Sequence, residues 1–321
     1  MKKTLLWLLP LFIFSFLSSC EPEGPADKDP DPPVAEEIIE IPDEYFKNVL
    51  VNTNSIDTNG DHVGDSNIDL NNDGEIQRSE AELAKSLIMN YNYHEIGRLV
   101  SFTGISNFTN LEYLKITGIG YYPAEEIEVE KLMSYDFTGL VNLEYLEFNN
   151  LVTNWSESLD LSGLGNLAEV RLINNSPFYE VFTDENIVLP VNFMDVDLES
   201  TGSLINLDIT NSFLNIDFCQ VPSLKKLNMF YLEGGEPEVF DFHCLESLEW
   251  LNIGENVIES LILSNSSVLE TLLVQNIGSW GGHYWNYPFV KYICIDDIPE
   301  EHEQIATLID EHTVVVTDCS F

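Results

Sequence analysis

Seven carboxylates stand between Asp57 and Glu80, namely Asp57, Asp61, Asp65, Asp69, Asp73, Glu75 and Glu80, and the one Lys or Arg among them is Arg78. The five aspartates recur at every fourth residue. On a helix that spacing would stack like charges on one face, and Gly60, Gly64 and Gly74 among asparagines argue for a loop instead. Carboxylates so crowded repel one another unless a hard cation sits among them, and calcium takes oxygen ligands of this kind. The residues from Asp69 to Glu80 have the required spacing. Asp69, Asn71 and Asp73 would supply side-chain oxygens, Glu75 its carbonyl, Gln77 a direct or water-mediated contact, and Glu80 both carboxylate oxygens. Gly74 permits the sharp turn, and Ile76 points inward. The competing reading is a solvated acidic loop, the usual fate of a charge run.

This arrangement matches D-x-[DN]-x-[DN]-G-x₅-E, the EF-hand calcium loop, and such a loop needs helices to hold it. Pro42 suits a first helical position, and Tyr45, Phe46, Val49 and Leu50 fall on one face of a short helix. Glu80 is expected to open a second helix through Leu83, Leu87 and Ile88. A weaker second site begins with Asp57, Asn59, Asp61 and Asp65. There His62 replaces the glycine and Ile68 the terminal glutamate, and the stretch resembles the calcium loops of thrombospondin type 3 repeats.

Beyond this cap the chain repeats itself. An L-x-x-L-x-L frame recurs at Leu111/Leu114/Ile116, Leu143/Leu146/Phe148, Leu167/Val170/Leu172, Leu204/Leu207/Ile209, Leu224/Leu227/Met229, Leu248/Leu251/Ile253 and Leu269/Leu272/Val274, with degenerate copies at Ala84/Leu87/Met89 and Val290/Ile293/Ile295. The middle anchors are 27, 32, 24, 37, 20, 24, 21 and 21 residues apart. These are the steps of leucine-rich repeats, save for two long ones with insertions around Gly120 to Lys131 and Asn174 to Asp197. Each repeat is a short strand that cannot bury its apolar residues alone, so neighbours stack into a solenoid. The asparagine expected three positions after the third anchor survives at Asn175 and Asn256. The expected fold is an α/β solenoid: an irregular leucine-rich-repeat horseshoe with an N-terminal EF-hand-like helical cap and a C-terminal cap.

Residues either side of each middle anchor face the concave side. Tyr113, Lys115, Tyr145, Arg171, Lys226 and Trp250 form the candidate ligand-binding set there, because aromatics and cations on a rigid sheet are what binding hot spots look like. The alternative is a face that neutralises its own acids. A second candidate, for glycans, is the aromatic loop Trp280 to Tyr287; its other reading is a cover for the last coil. We find no G-x-S-x-G elbow, H-E-x-x-H, phosphate-binding glycine loop or C-x-x-C. The reading is therefore non-enzymatic.

Over 321 residues the chain sets 13 Lys+Arg against 55 Asp+Glu, a net charge of −42, with 44% hydrophobic residues. A core is affordable at that composition. The negative field repels phosphate backbones and anionic headgroups, which excludes nucleic acid as a partner and favours cations. Lys2 and Lys3 precede an apolar run from Leu5 to Leu17 that is broken by Pro10 and falls short of the roughly 20 residues a spanning helix needs. Leu17-Ser18-Ser19-Cys20 resembles the lipobox of bacterial lipoproteins, in which the cysteine after the cut is lipidated. The expected organisation is a signal peptide at 1–19, an acidic, proline-rich tether at 20–40, the calcium-binding cap at 41–90, repeats over 84–295 and a C-terminal cap at 296–321. Cys294 and Cys319 flank a helix-and-strand pattern, and a disulfide there would staple the cap of an exported protein. Cys219 and Cys244 lie at equivalent places in successive coils, as a second bond or as two buried thiols.

The order of parts resembles leucine-rich-repeat surface lipoproteins of Bacteroidetes, of the flavobacterial type. The likeness is carried by Ile41-Pro42-Asp43 with Phe46, Ile56-Asp57-Thr58-Asn59-Gly60-Asp61, Gly74-Glu75-Ile76-Gln77 followed by Ser79-Glu80-Ala81, Gly104-Ile105, Phe108-Thr109-Asn110-Leu111, Cys294-Ile295 and Asp318-Cys319. This chain carries an insertion between the first aspartate motif and Gly74. The resemblance implies an interaction scaffold with a protein ligand, lipid-anchored (palmitate) in the outer membrane and facing the cell exterior, with Ca2+ as its ion.

Overall fold

The frame residues do what their spacing demands. In the computed structural model, which describes residues 36–92, 100–119, 136–153, 158–177, 194–212, 214–232, 238–264, 269–275, 277, 279–280, 283–284 and 290–319, eight strands form one parallel sheet in chain order. They are Ser86–Asn92, Tyr113–Ile119, Tyr145–Asn149, Glu169–Ile173, Asn206–Asp208, Lys226–Asn228, Trp250–Asn252 and Thr271–Leu273. Their middle anchors stand in one register line, Leu87, Leu114, Leu146, Val170, Leu207, Leu227, Leu251 and Leu272, each paired with the next. All but the last are buried. Parallel pairing with one face inward requires this alternation of anchor and flank.

Between these strands the chain crosses to a second face and back. Leu159–Asp160, Met194–Asp197 and Leu214–Ile216 make one short parallel sheet, and Glu238–Asp241, Ile258–Ile262, Tyr292–Cys294 and Val314–Val316 make another. The apolar core lies within the coils. A second, three-residue period feeds it before several long-sheet strands, for instance Phe137, Leu140 and Leu143, or Phe242, Leu245 and Leu248, all fully buried. After each of five long-sheet strands one residue turns the corner with left-handed φ: Asn150 at 56°, Asn174 at 55°, Asn211 at 50°, Tyr231 at 56° and Glu255 at 60°. Asparagine tolerates that region, whereas Tyr231 and Glu255 are held in it by the repeat.

In three of these five coils the residue after the corner is a buried polar clasp. Asn175 donates from Nδ2 to the Phe148 carbonyl and accepts at Oδ1 from the Leu151 amide. Asn256 does the same with Met229 and Leu232. Ser212 stands at the equivalent place between them, its Oγ donating to the Leu172 carbonyl and accepting from the Asn175 amide. Backbone groups at the bend that lack a strand partner are thus paired with a side chain of the next coil.

Several expectations are corrected. Val290/Ile293/Ile295 does not continue the long sheet: Tyr292–Cys294 pairs with Ile258–Ile262 and Val314–Val316 on the second face. The apolar alternation of that frame is real, but it serves the opposite wall. The helix bearing Glu80 spans only Arg78–Leu83. Leu87 and Ile88 belong to the first long-sheet strand, where pairing with Leu114 and Lys115 outweighs continued helix. The first helix, Glu44–Asn52, starts after Pro42, because the Asp43 carboxylate caps it by accepting from the Tyr45 and Phe46 amides. At the C-terminus strand Val314–Val316 is where expected, but helix Pro299–Ile305 ends before Leu308 and Ile309, which were expected on it with Ile305; Leu308 is buried from the following turn and Ile309 is exposed.

Candidate functional site

The two acidic loops fold alike. Asp69 accepts from the Asp73 amide at Oδ1 (3.1 Å) and the Gly74 amide at Oδ2 (2.8 Å). Asp57 accepts from Asn59 and Gly60 at Oδ1 and from His62 at Oδ2. In both loops the third and fifth residues then accept from amides two positions on: Asn71 from Asp73 and Asp73 from Glu75, Asn59 from Asp61 and Asp61 from Val63. Left-handed backbone falls at the fourth and sixth places of each, Gly60 and His62 in one, Asn72 and Gly74 in the other. His62 at φ 62° therefore takes the conformation of the glycine it replaces. Gly64 cannot be replaced, since a Cβ there would lie 1.9 Å from the Asn54 carbonyl oxygen.

The loops differ at their ends. Glu80 reaches back to accept from Leu70 and Asn71 at Oε1 and from Gln77 at Oε2. Its counterpart in the first loop is Ile68, buried in the core. Asp65, the ninth residue there, accepts from Thr58 and Asn59, while Gln77 bridges Asn71 and Asp73. Asp57, Asp69 and Glu80 are only 6%, 6% and 5% exposed, and among the described residues none of them pairs with Lys or Arg. Burial pushes the Asp57 carboxyl up, but the amides of Gly60, His62 and Asn59 outweigh it and hold it below the usual range. The Glu75 amide, with Asn71 and Gln77, holds Asp73 low despite its desolvation. Among the described residues Asp69, Asp73 and Glu80 do not by themselves bring three carboxylate oxygens within 4.8 Å. An ion here would use the amide oxygens of Asn71 and Gln77 and the Glu75 carbonyl as well.

His62 also leaves the loop. Its ring stacks on Tyr113 at 4.4 Å, and Tyr113 stacks on Tyr145 at 4.4 Å with rings 3° from parallel. The cap thus reaches onto the face expected to bind ligand. Below this stack lies Glu147, 4% exposed, accepting from the Tyr145 hydroxyl and flanked by Lys115 Nζ at 3.1 Å and Arg171 at 3.8 Å. Burial pushes its carboxyl up, yet the bond from Tyr145 and the charges of Lys115 and Arg171 bring the net below the usual range. Burial and the same bond push the Tyr145 hydroxyl well above its ordinary value. The ladder continues through Arg171 to Asp208 at 3.7 Å, then to Asn228 and Asn252.

Tyr113, Lys115, Tyr145 and Arg171 therefore make one cluster around Glu147, and both of its cations already face that carboxylate. Lys226 and Trp250 form a separate pair with the ammonium 4.8 Å from the ring centroid. One strand, Asn206–Asp208, lies between the clusters. Glu147, Asp208 and His62 were missing from the candidate set. The signal for Glu147 was a carboxylate between a lysine and an arginine at the same place in adjacent frames.

Cys294 and Cys319 are bonded, as are Cys219 and Cys244. The buried-thiol reading of the second pair fails: Cys219 is exposed and Cys244 half-buried at their turns. Of the aromatic loop, Ser279–Trp280 pairs with His283–Tyr284 as a short antiparallel hairpin, and its remaining residues lie outside the described ones. So do Cys20, the signal segment and most of the tether. No helix among the described residues is long and apolar enough to cross a membrane.

No protein-family model matches the chain, and no curated protein matches it. Among solved structures it is similar to the functional domain of InlJ from Listeria monocytogenes, described as including a cysteine ladder, at 18% identity over 69% of this chain and 46% of that one, with a TM-score of 0.34. It is similar to TLR13 in complex with ssRNA13 at 16% identity over 66% of this chain and 32% of that one, TM-score 0.31. The internalin InlF from Listeria monocytogenes strain 4b F2365 is 18% identical over 77% of this chain and 90% of that one, TM-score 0.24. The chain spans about half the length of the InlJ domain and a third of TLR13. These likenesses concern the fold alone. What the strand register establishes independently of them is a leucine-rich-repeat solenoid.

Proposed function

We propose that this chain is a non-enzymatic surface lipoprotein, lipidated at Cys20 and held in the outer membrane facing the cell exterior, that binds a protein partner on the exposed face of its long sheet. The observation that carries this reading is the rigid eight-strand register, which presents partly exposed Tyr113, Tyr145 and Trp250 on a pre-organised surface. Because Tyr113 is stacked between His62 and Tyr145, that cluster offers ring edges, which suits a protein surface better than the flat face of a sugar. A glycan role, if there is one, falls to the loop Trp280 to Tyr287. In a pull-down against surface extracts run beside a polysaccharide array, the protein is expected to capture a protein and no glycan. The reverse result moves the site to that loop.

Calcium belongs to the same reading, as a structural ion of the cap. Asp69, Asn71, Asp73, Glu75, Gln77 and Glu80 would hold it, and Asp57, Asn59, Asp61 and Asp65 a second. What supports this is the burial of Asp69, Glu80 and Asp57 with no Lys or Arg partner among the described residues, together with the shared turn geometry of the loops. An ion bound only by the native loop stabilises by RT ln(1 + [L]/Kd), about 4 kcal/mol at a thousandfold excess over Kd. The wild type should melt higher in calcium than in chelator, and Glu80→Ala should lose most of that difference. Equal melting temperatures in the wild type would remove calcium from the proposal.

A further inference from the structure

We propose that Cys219, Cys244 and His243 form a redox-gated site for a thiophilic metal ion, shut as a disulfide and opened by two-electron reduction into a donor set of two thiolates and one imidazole. The site lies on two successive coils, apart from the acidic loops and the long-sheet face. Cys219 sits in the 3-10 turn Phe218–Gln220 and Cys244 in the turn after strand Glu238–Asp241. The two sulfurs and a ring nitrogen of His243 all lie within 4.8 Å of one another. A tetrahedral ion about 2.3 Å from sulfur and 2.0–2.1 Å from nitrogen holds its ligand atoms roughly 3.5 Å apart, so the two sulfurs, bonded here, must part by an ångström or two on reduction to become its ligands.

The imidazole is already oriented. His243 Nδ1 lies 2.7 Å from Asp241 Oδ1, and the same oxygen accepts from the His243 amide. A carboxylate has no hydrogen to give, so Nδ1 is the donor, and in the neutral imidazole that leaves the lone pair on Nε2. That Nε2 lies 3.2 Å from Cys244 Sγ. A carboxylate fixing the far nitrogen of an imidazole is the second shell that metal-binding histidines use. Three protein ligands leave one coordination position open. The Cys294–Cys319 pair offers nothing comparable: Cys294 is fully buried, and its partner's sulfur faces Ser264 Oγ.

Cys219 and His243 are exposed, so both reductant and ion can reach the site. The gate opens by exchange with an exported dithiol. Its thiolate attacks Cys219 Sγ, the S–S bond breaks, and the electron pair leaves on Cys244 Sγ. The second thiolate of the dithiol then resolves the mixed disulfide, so that one disulfide is lost here and one forms on the reductant. Two protons complete the cysteines, and a divalent ion displaces both on binding.

The test reduces the full chain with dithiothreitol, removes the reductant without oxygen and titrates cobalt(II). One equivalent is expected to give thiolate-to-cobalt charge transfer with tetrahedral ligand-field absorption, both erased by zinc(II), and the oxidised protein should give neither. Cys219→Ser should abolish the charge transfer, and Asp241→Asn, a positioning change, should weaken cobalt about tenfold. Alkylation mapped by mass spectrometry should find Cys219 and Cys244 protected by the ion. Protection at Cys294 and Cys319 instead, unchanged affinity in His243→Ala, or loss of the sheet signal in circular dichroism on reduction would each overturn the proposal.

Discussion

A carboxylate as buried as Glu147 needs its charge answered nearby, and Lys115, Arg171 and the Tyr145 hydroxyl answer it. Glu147→Gln keeps an acceptor for Tyr145 but leaves two cations facing a neutral amide. The cost should be about 1–2 kcal/mol in a denaturant titration at neutral pH, less than for a fully buried pair because both cations are partly exposed. The sign with pH follows from the lowered carboxyl. Its stabilisation is complete above the ordinary value of 4.5 and is lost as pH falls through the lower folded value. The wild type should therefore lose more stability than Glu147→Gln on acidification below that point, and parallel acid limbs would show the ladder to be inert. Glu301 has the opposite sign. Burial raises its carboxyl, so its ionisation costs stability at neutral pH. Glu301→Gln, which keeps an acceptor for the Asp296 amide, should raise the melting temperature at pH 7 and lose that advantage in acid.

At the scale of the coil, the clasp residues explain how an irregular sequence keeps a regular backbone. Asn256→Ala would orphan the half-buried Leu232 amide and remove the buried bond to the Met229 carbonyl, at a cost of about 1–3 kcal/mol read from the denaturation midpoint. A loss as small as that of a surface substitution would mean water replaces the amide. This is also where sequence reading reached its limit. Asn175 and Asn256 were legible because the repeat expects asparagine there, but Ser212 does the same work with a different side chain and carried no signal. The middle anchors were legible because strand pairing fixes their spacing. Ile293 was misplaced because alternating apolar residues look the same on either wall of a coil. The turn geometry of the first acidic loop was hidden by His62, whose left-handed backbone no composition rule anticipates.

The whole molecule carries a net charge of −42, and most of its local ion pairs are exposed, so self-repulsion should be screened by salt. The melting temperature should rise from low to molar sodium chloride before any calcium is added, and a fall would mean that ladders such as the one around Glu147 outweigh the net field. Partner binding belongs to this scale too, since it needs several coils at once. Once a protein ligand is in hand, Trp250→Ala with Lys226→Ala should weaken it by more than about 2 kcal/mol without lowering the melting temperature. Unchanged affinity would shift attention to the His62, Tyr113 and Tyr145 stack or to the Trp280 hairpin.

The two disulfides each close a separation of 25 residues, one coil apiece. On the proposed reading, a chain anchored at Cys20 and gripped across its long sheet would come under tension, and a solenoid yields to tension by peeling coil from coil. Each bond withholds its own loop from that extension, roughly 85 Å of contour length at about 3.4 Å per residue. Stretched in an optical trap, the oxidised chain should fall short of the fully reduced one by about 170 Å. A mild reductant that opens only the exposed bond should recover half of that, making the middle of the solenoid extensible while its far end stays locked.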